Sequence, residues 1–376
     1  MKWNSRDREL RALLLSAQLS ALWAWSGGVL VQVPRGGMRA ALLLCFLYVP
    51  CRAVAPATPP LPAADYSSRR YWLESTEAAF DSLSSRVGST IDQLTAQSLS
   101  CSVYLPLGMG SNSTFHLLDF KGAGCGPPIV LLHGIGSSAS DYYPIIRHLQ
   151  AHSSRVVAID FPGHGLSPCD PTISLDELES RMLCTVDQAV SFVGCKKFTL
   201  VGNSLGGLIA CKYASTHSHR LHCLILLSPA GAPLTESELS ELQSLFSIKT
   251  LGDATKFTDS VLGLQRRLPW GVRHVVGWAC RERTRRPIAQ KILQEATVGK
   301  RLDESSCTKI DCPILLVWGK NEEVFADRQL DWWVKHLPSR HLSLLRPNGL
   351  GHVPHLDASS VARNIVEFVQ QSAPRT

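Results

Sequence analysis

Among twelve cysteines there is no Cys-x-x-Cys pair, so the spacing that would suggest a zinc site is missing. Twelve in 376 residues is also too dilute for a small disulfide-stapled scaffold. No Gly-X-Y period, heptad array or repeat of roughly 20–50 residues occurs, which removes fibrous and solenoid architectures. Charge is sparse, at 18% of residues against 45% hydrophobic. Such a chain can bury a large core and is not generally disordered. Its length suits one α/β domain of roughly 250 residues with extras.

The net charge of +7 is local. Residues 1–52 carry +5 and residues 261–286 carry +6, so the rest of the chain is net acidic. Two basic segments on an acidic body argue for local electrostatic contacts and against a nucleic-acid-binding surface.

Long apolar runs are confined to the N-terminus. Ala12–Pro34 has no charged side chain but is diluted by Ser16, Gln18, Ser20, Ser26, Gly27, Gly28 and Gln32, against the about 20 apolar residues of a spanning helix. Arg39, the apolar run Ala40–Val49 and Ala53-Val54-Ala55 follow the order of a secretory signal, with Met38 a more natural start than Met1. Pro56 counts against cleavage there. Signal or signal-anchor, plastid or mitochondrial transit peptide, and plain extension are the readings of residues 1–64, which end in a Pro/Ala-rich linker. Secretory or membrane-associated localisation is the favoured expectation. Residues 65–101 are expected to hold a helix over 68–97, with Trp72, Phe80, Leu83, Val87, Ile91 and Leu94 on one face.

From residue 102 strands and helices alternate. Val103–Leu105 and Phe115–Phe120 read as an antiparallel pair. Short apolar runs follow at Pro128–Leu132, Val156–Ile159, Phe198–Val201, Leu224–Leu227, Ile314–Trp318 and His341–Leu345. Continuous apolar runs bounded by Gly and Pro are what a parallel sheet buried on both faces requires, and such sheets place chemistry at the strands' carboxyl ends.

At one such end, Gly202-Asn203-Ser204-Leu205-Gly206 runs from strand into helix. A serine on that sharp turn presents its hydroxyl, and the flanking glycines let the chains pass closely. A serine hydroxyl needs a base and an orienting acid. His352 follows the last strand within Asn348-Gly-Leu-Gly-His. Gly319-Lys-Asn-Glu322-Glu323 follows the strand before it. The order Ser204, Glu322, His352 fits a serine hydrolase. Glu323 and Asp327 are the alternative acids, and His355 is the alternative base. His133, His164 and Asp160 read as structural residues of their turns.

These motifs resemble the α/β-hydrolase family over residues 102–372, and are similar to its capped esterases and monoacylglycerol-lipase-like members. Ile129–Gly136 matches the oxyanion strand and loop, Asp160–Ser167 the next strand-end turn, and Trp318–Glu322 and Asn348–Gly351-His352 the acid and histidine loops. The resemblance implies an α/β fold with a mostly parallel central sheet flanked by helices. The core would be residues 102–230 and 311–372, with a helical cap at 231–310. It implies an oxyanion hole from the backbone N–H groups of Ile135 and Leu205, with no metal or organic cofactor. Aspartate is the usual acid, so Glu322 is a departure that keeps charge and acceptor atoms. Serine at the elbow excludes the aspartate-dependent dehalogenase and epoxide hydrolase branches.

The expected activity is hydrolysis of carboxylic esters with apolar acyl chains, such as a monoacylglycerol-like lipid. A thioesterase, a carbon–carbon bond hydrolase and a non-catalytic hydrolase-like receptor are the alternatives. Within the cap, Val261–Trp278 mixes apolar residues with Arg266, Arg267 and Arg273, and Arg281, Arg283, Arg285 and Arg286 follow. That composition suits either a membrane surface or a solvated basic face. In an oxidising compartment Cys101 and Cys125 could pair across the hairpin, and Asn112-Ser-Thr is a glycosylation sequon.

Overall fold

The computed structural model describes residues 101–108, 113–262, 270–296, 302–356 and 360–372, without the side chains of 262–275 and 279. The expected leader, linker and helix over 68–97, together with Asn112 and much of the basic stretch from 261 to 278, lie outside what is described.

An eight-stranded sheet runs in the order β1-β2-β4-β3-β5-β6-β7-β8. The strands β1 (Ser102–Pro106) and β2 (Thr114–Lys121) form the expected antiparallel hairpin. β2 is also antiparallel to β4 (Arg155–Ile159). The remaining strands are parallel: β3 (Ile129–Leu132), β5 (Phe198–Asn203), β6 (Leu221–Leu227), β7 (Ile314–Val317) and β8 (Leu342–Leu345). Each apolar run named above falls on one of them.

The period of two sorts these strands' side chains into two cores. Val130, Leu132, Leu200, Leu224 and Leu316 enter one, beneath α2 (Leu175–Val193) and α3 (Leu205–His217). Ile129, Leu131, Val201, Ile225 and Leu315 enter the other, beneath α1 (Tyr143–Gln150) and α10 (Val361–Gln371). Both faces are dry, which is why the central strands lack polar alternation. The caps are local: the Ser174 hydroxyl accepts from Glu177 N at the start of α2, and Gly194 ends it with φ 72°.

Between β6 and β7 the alternation stops. Among the described residues five helices intervene: α4 (Glu236–Phe246), α5 (Leu251–Leu262), α6 (Trp270–Thr284), α7 (Pro287–Gln294) and α8 (Glu304–Thr308). α9 (Asp327–His336) joins β7 to β8. Among the described residues no helix is long and apolar enough to cross a membrane.

Cys101 and Cys125 are both free thiols, Cys101 buried and Cys125 exposed. Cys101 packs into the core behind β2, its carbonyl accepting from Asp119 N at 2.8 Å. Cys125 lies in the outer turn before β3. Burial, reinforced by Asp119, pushes the Cys101 thiol up to about 11, so it stays protonated and unreactive.

Candidate active site

The chain leaves β3 toward β4 on one side, while β5 lies on the other. This reversal opens a crevice at the carboxyl ends of β3 and β5. Leu132 of β3 stands beside Gly202 of β5, so the loops that follow emerge side by side. A Cβ on Gly134 would lie 3.3 Å from Ser204 Cβ.

Ser204 stands on that crevice in a strained conformation, φ 51° and ψ −116°. Such backbone costs on the order of 1–3 kcal/mol and persists only where its surroundings hold it. Here they do. Ser204 N donates to Leu227 O at 3.1 Å, and Ser204 O accepts from Gly207 N, Leu208 N and Ala230 N at 2.9–3.1 Å. The flanking glycines are steric requirements: a Cβ at Gly202 would lie 2.3 Å from Gly206 O, and one at Gly206 2.2 Å from Leu132 O. Among the described residues, the N–H groups of Ile135 and Leu205 donate to no acceptor. Leu205 is the first residue of α3, where intrahelical partners do not exist.

His352 and Glu322 meet because their loops are zipped together. Asn321 N donates to Leu350 O and Lys320 N to Pro347 O, while Asn321 Oδ1 accepts from Gly349 N. His352 Nδ1 lies 3.1 Å from each Glu322 carboxylate oxygen, with the two side chains 3% and 1% exposed. Burial alone would raise the Glu322 carboxyl. The adjacent His352 ring, with hydrogen bonds from its own loop, reverses the direction and holds it below the usual carboxylate range. Val324 N and Phe325 N supply two of those bonds, at 2.9 and 3.2 Å. The Phe325 ring meets the imidazole edge to face at 5.0 Å.

The other sequence candidates stand elsewhere. Glu323 is exposed and accepts from Ser260 Oγ of the insert at 3.3 Å. Asp327 is exposed and pairs with Arg346 at 2.8 Å. His355 is buried against Tyr142, ring centroids 4.5 Å apart. His133 accepts from Phe161 N at Nε2 and so carries its proton on Nδ1, which donates to Gly134 O at 2.7 Å. His164 lies buried beside it. Asp160 braces three segments, accepting from Ala139 N, Leu166 N and the His116 ring at 2.6, 2.9 and 2.7 Å.

Three features escaped the sequence reading. Asn203 Nδ2 donates to both Leu227 O and His352 O at 2.9 Å, tying the histidine loop to the strand that carries Ser204. Arg283 of the insert forks onto Asp141 at 2.9 and 3.1 Å. Asp141 in turn accepts from Ser137 Oγ and Ser138 N in the loop after β3. Arg281 lies over Trp278 and donates to Ile248 O, and Arg286 donates to Gly165 O. Three of the insert's arginines therefore brace the protein.

Ser204 and His352 open onto one cavity of about 820 Å³, counted to its solvent mouth. Among the described residues no hydrogen bond joins the pair, a common state before substrate binds. Leu208, Leu234, Leu242, Phe246, Ile292 and Phe325 contribute to a wall that is nearly all apolar. Among the described residues, its one polar side chain beyond Ser204 and His352 is Gln329. Among the described residues no cluster of three His, Cys, Asp or Glu side chains could hold a metal ion.

Known proteins share this architecture. The chain is 26% identical over 254 residues to a pimeloyl-[acyl-carrier protein] methyl ester esterase of Aeromonas salmonicida (strain A449), covering 66% of this chain and 95% of that protein. Over 150 residues it is 28% identical to the sn-1-specific diacylglycerol lipase ABHD11 of Danio rerio, covering 39% and 45% of the two chains. The crystal structure of a bacterial membrane phospholipase A superposes with a TM-score of 0.62 at 23% identity, over 82% of this chain and all of that one. The BphD hydrolase of Rhodococcus sp. strain RHA1 does so with 0.60 at 21%, over 72% and 98%. The model of the "Alpha/beta hydrolase family" matches residues 129–364, more than half of the chain, and the chain belongs to that family.

Proposed function

We propose that the protein is a serine hydrolase of carboxylic esters with apolar acyl chains, of which a monoacylglycerol-like lipid is one. One observation carries this reading: a strained, cavity-facing serine and a histidine seated on a buried carboxylate open onto the same apolar pocket. The relatives named esterases and lipases support the same class.

In this mechanism the Ser204 hydroxyl attacks the acyl carbon as His352 Nε2 takes its proton. Glu322 holds Nδ1–H and balances the imidazolium that forms. The N–H groups of Ile135 and Leu205 receive the carbonyl oxygen as it becomes an oxyanion; each such donor typically contributes about 10²–10³ in rate. His352 returns the proton to the leaving alcohol, and water releases the acid by the same route. The apolar pocket takes the acyl chain, and the helical insert covers it as a lid.

The test is intact-mass labelling with a fluorophosphonate, followed by turnover of p-nitrophenyl esters. One adduct in the wild type, none in Ser204→Ala, and ester turnover lost with it is the expected result. A folded wild type that takes no adduct, or Ser204→Ala with near-normal turnover, overturns the assignment.

A further inference from the structure

Gln329 is out of place for a wall that otherwise serves only to exclude water. It is the third residue of α9, on the inner face with Leu330 and Trp333. Trp333 Nε1 donates to Pro229 O at 3.1 Å and pins the helix against the loop after β6. The position is therefore held in place, at 2% exposure. Gln329 lines the cavity shared by Ser204 and His352, and its Nε2 is buried with no hydrogen-bond partner among the described residues.

Leaving a buried amide N–H without an acceptor is costly, and leucine or methionine at this site would avoid that cost. No described neighbour offers it an acceptor, which leaves that role to whatever enters the cavity. An N–H donor requires an acceptor oxygen. Beyond the groups that handle the reacting ester, one further donor in an apolar wall selects a mainly apolar chain bearing one carbonyl at a fixed distance from its reacting end.

We propose that Gln329 is a specificity-determining residue that reads a second carbonyl oxygen in the substrate. The substrate class is then an ester whose acyl chain carries an oxo group or a further ester carbonyl. This rests on the ester-hydrolase reading for the identity of the reacting end, while the recognition itself is a binding property.

Binding is measured on the full chain with Ser204→Ala, which cannot turn over ester, using tryptophan fluorescence. The probes are methyl octanoate and its 4-, 5-, 6- and 7-oxo analogues. One oxo isomer should bind at least about tenfold more tightly than the plain ester, although its chain is less apolar. That preference should disappear in Ser204→Ala combined with Gln329→Met, a nearly volume-matched change. Equal affinity for all five probes, or a preference that survives Gln329→Met, overturns the proposal. Turnover of p-nitrophenyl octanoate by the wild type is scored separately, so the ester-hydrolase reading can fail without deciding the Gln329 result.

Discussion

An amide in place of the Glu322 carboxylate would keep the shape of the side chain and remove its charge. His352 Nδ1 now faces two carboxylate oxygens at 3.1 Å, an arrangement that fixes the tautomer with Nε2 free to accept a proton. An amide can present its own N–H there and reverse that tautomer. Glu322→Gln is expected to lower kcat by about 10³–10⁴, with Ser204 still in its strained turn. Glu323→Gln, whose parent is exposed and accepts from Ser260 of the insert, should stay within about threefold of wild type. Steady-state kinetics on a p-nitrophenyl ester decide it, and a larger loss at Glu323 would move the acid by one position. Choosing between adjacent glutamates needed the zipped loops. Their pairing, Asn321 with Leu350 and Gly349, joins segments with no common sequence pattern.

At the scale of elements, the strands and the strained turn are legible because short-range rules determine them. Apolar runs bounded by Gly and Pro have few ways to be buried, and Gly-x-Ser-x-Gly records backbone approaches of 2.2–2.3 Å to any added Cβ. The insert is legible only as a helical interruption. Its attachment is not, because Arg283 and Asp141 are 142 residues apart and neither belongs to a motif. A run of arginines suggests a membrane face when read along the chain, whereas the folded contacts of Arg281, Arg283 and Arg286 point into the protein. Arg283 reaches the carboxylate that also holds Ser137 and Ser138, within the same loop as Ile135. The ion pair thus couples the seating of α6 to the position of one proposed oxyanion donor. Arg283→Gln is expected to reduce kcat by roughly ten- to a hundredfold, since small misplacements of reacting groups carry costs of that order. KM should change less, and far-UV circular dichroism should be unaltered. Unchanged kcat would limit this ion pair to a stabilising contact.

For the whole molecule, the same dry, helix-covered sheet that shapes the crevice also buries imidazoles around it. Burial pushes His164 down to about 3, helped by the nearby His133. Burial pushes His355 down to about 4, with His352 opposing its charge and Asp141 favouring it. Both stay neutral in the folded protein under conditions where the unfolded chain, with ordinary histidines near 6.5, takes up protons. The unfolded state therefore binds more protons between about pH 6.5 and 4, and stability falls as pH falls through that window. Carboxylates held low, Glu322 and Asp160 among them, keep their contribution above their unfolded values and lose it only at lower pH. Urea denaturation at intervals from pH 8 to 4.5 should show little change above pH 7 and a decline below about 6.5. The slope should correspond to at least two protons taken up on unfolding near pH 5. His355→Phe keeps a ring against Tyr142 and has no basic nitrogen, so it should remove about one proton from that slope, whatever it does to stability at pH 8. A slope identical to wild type would mean that His355 already carries its proton in the folded protein. The ion pair available to it is Asp141, the carboxylate that Arg283 also engages.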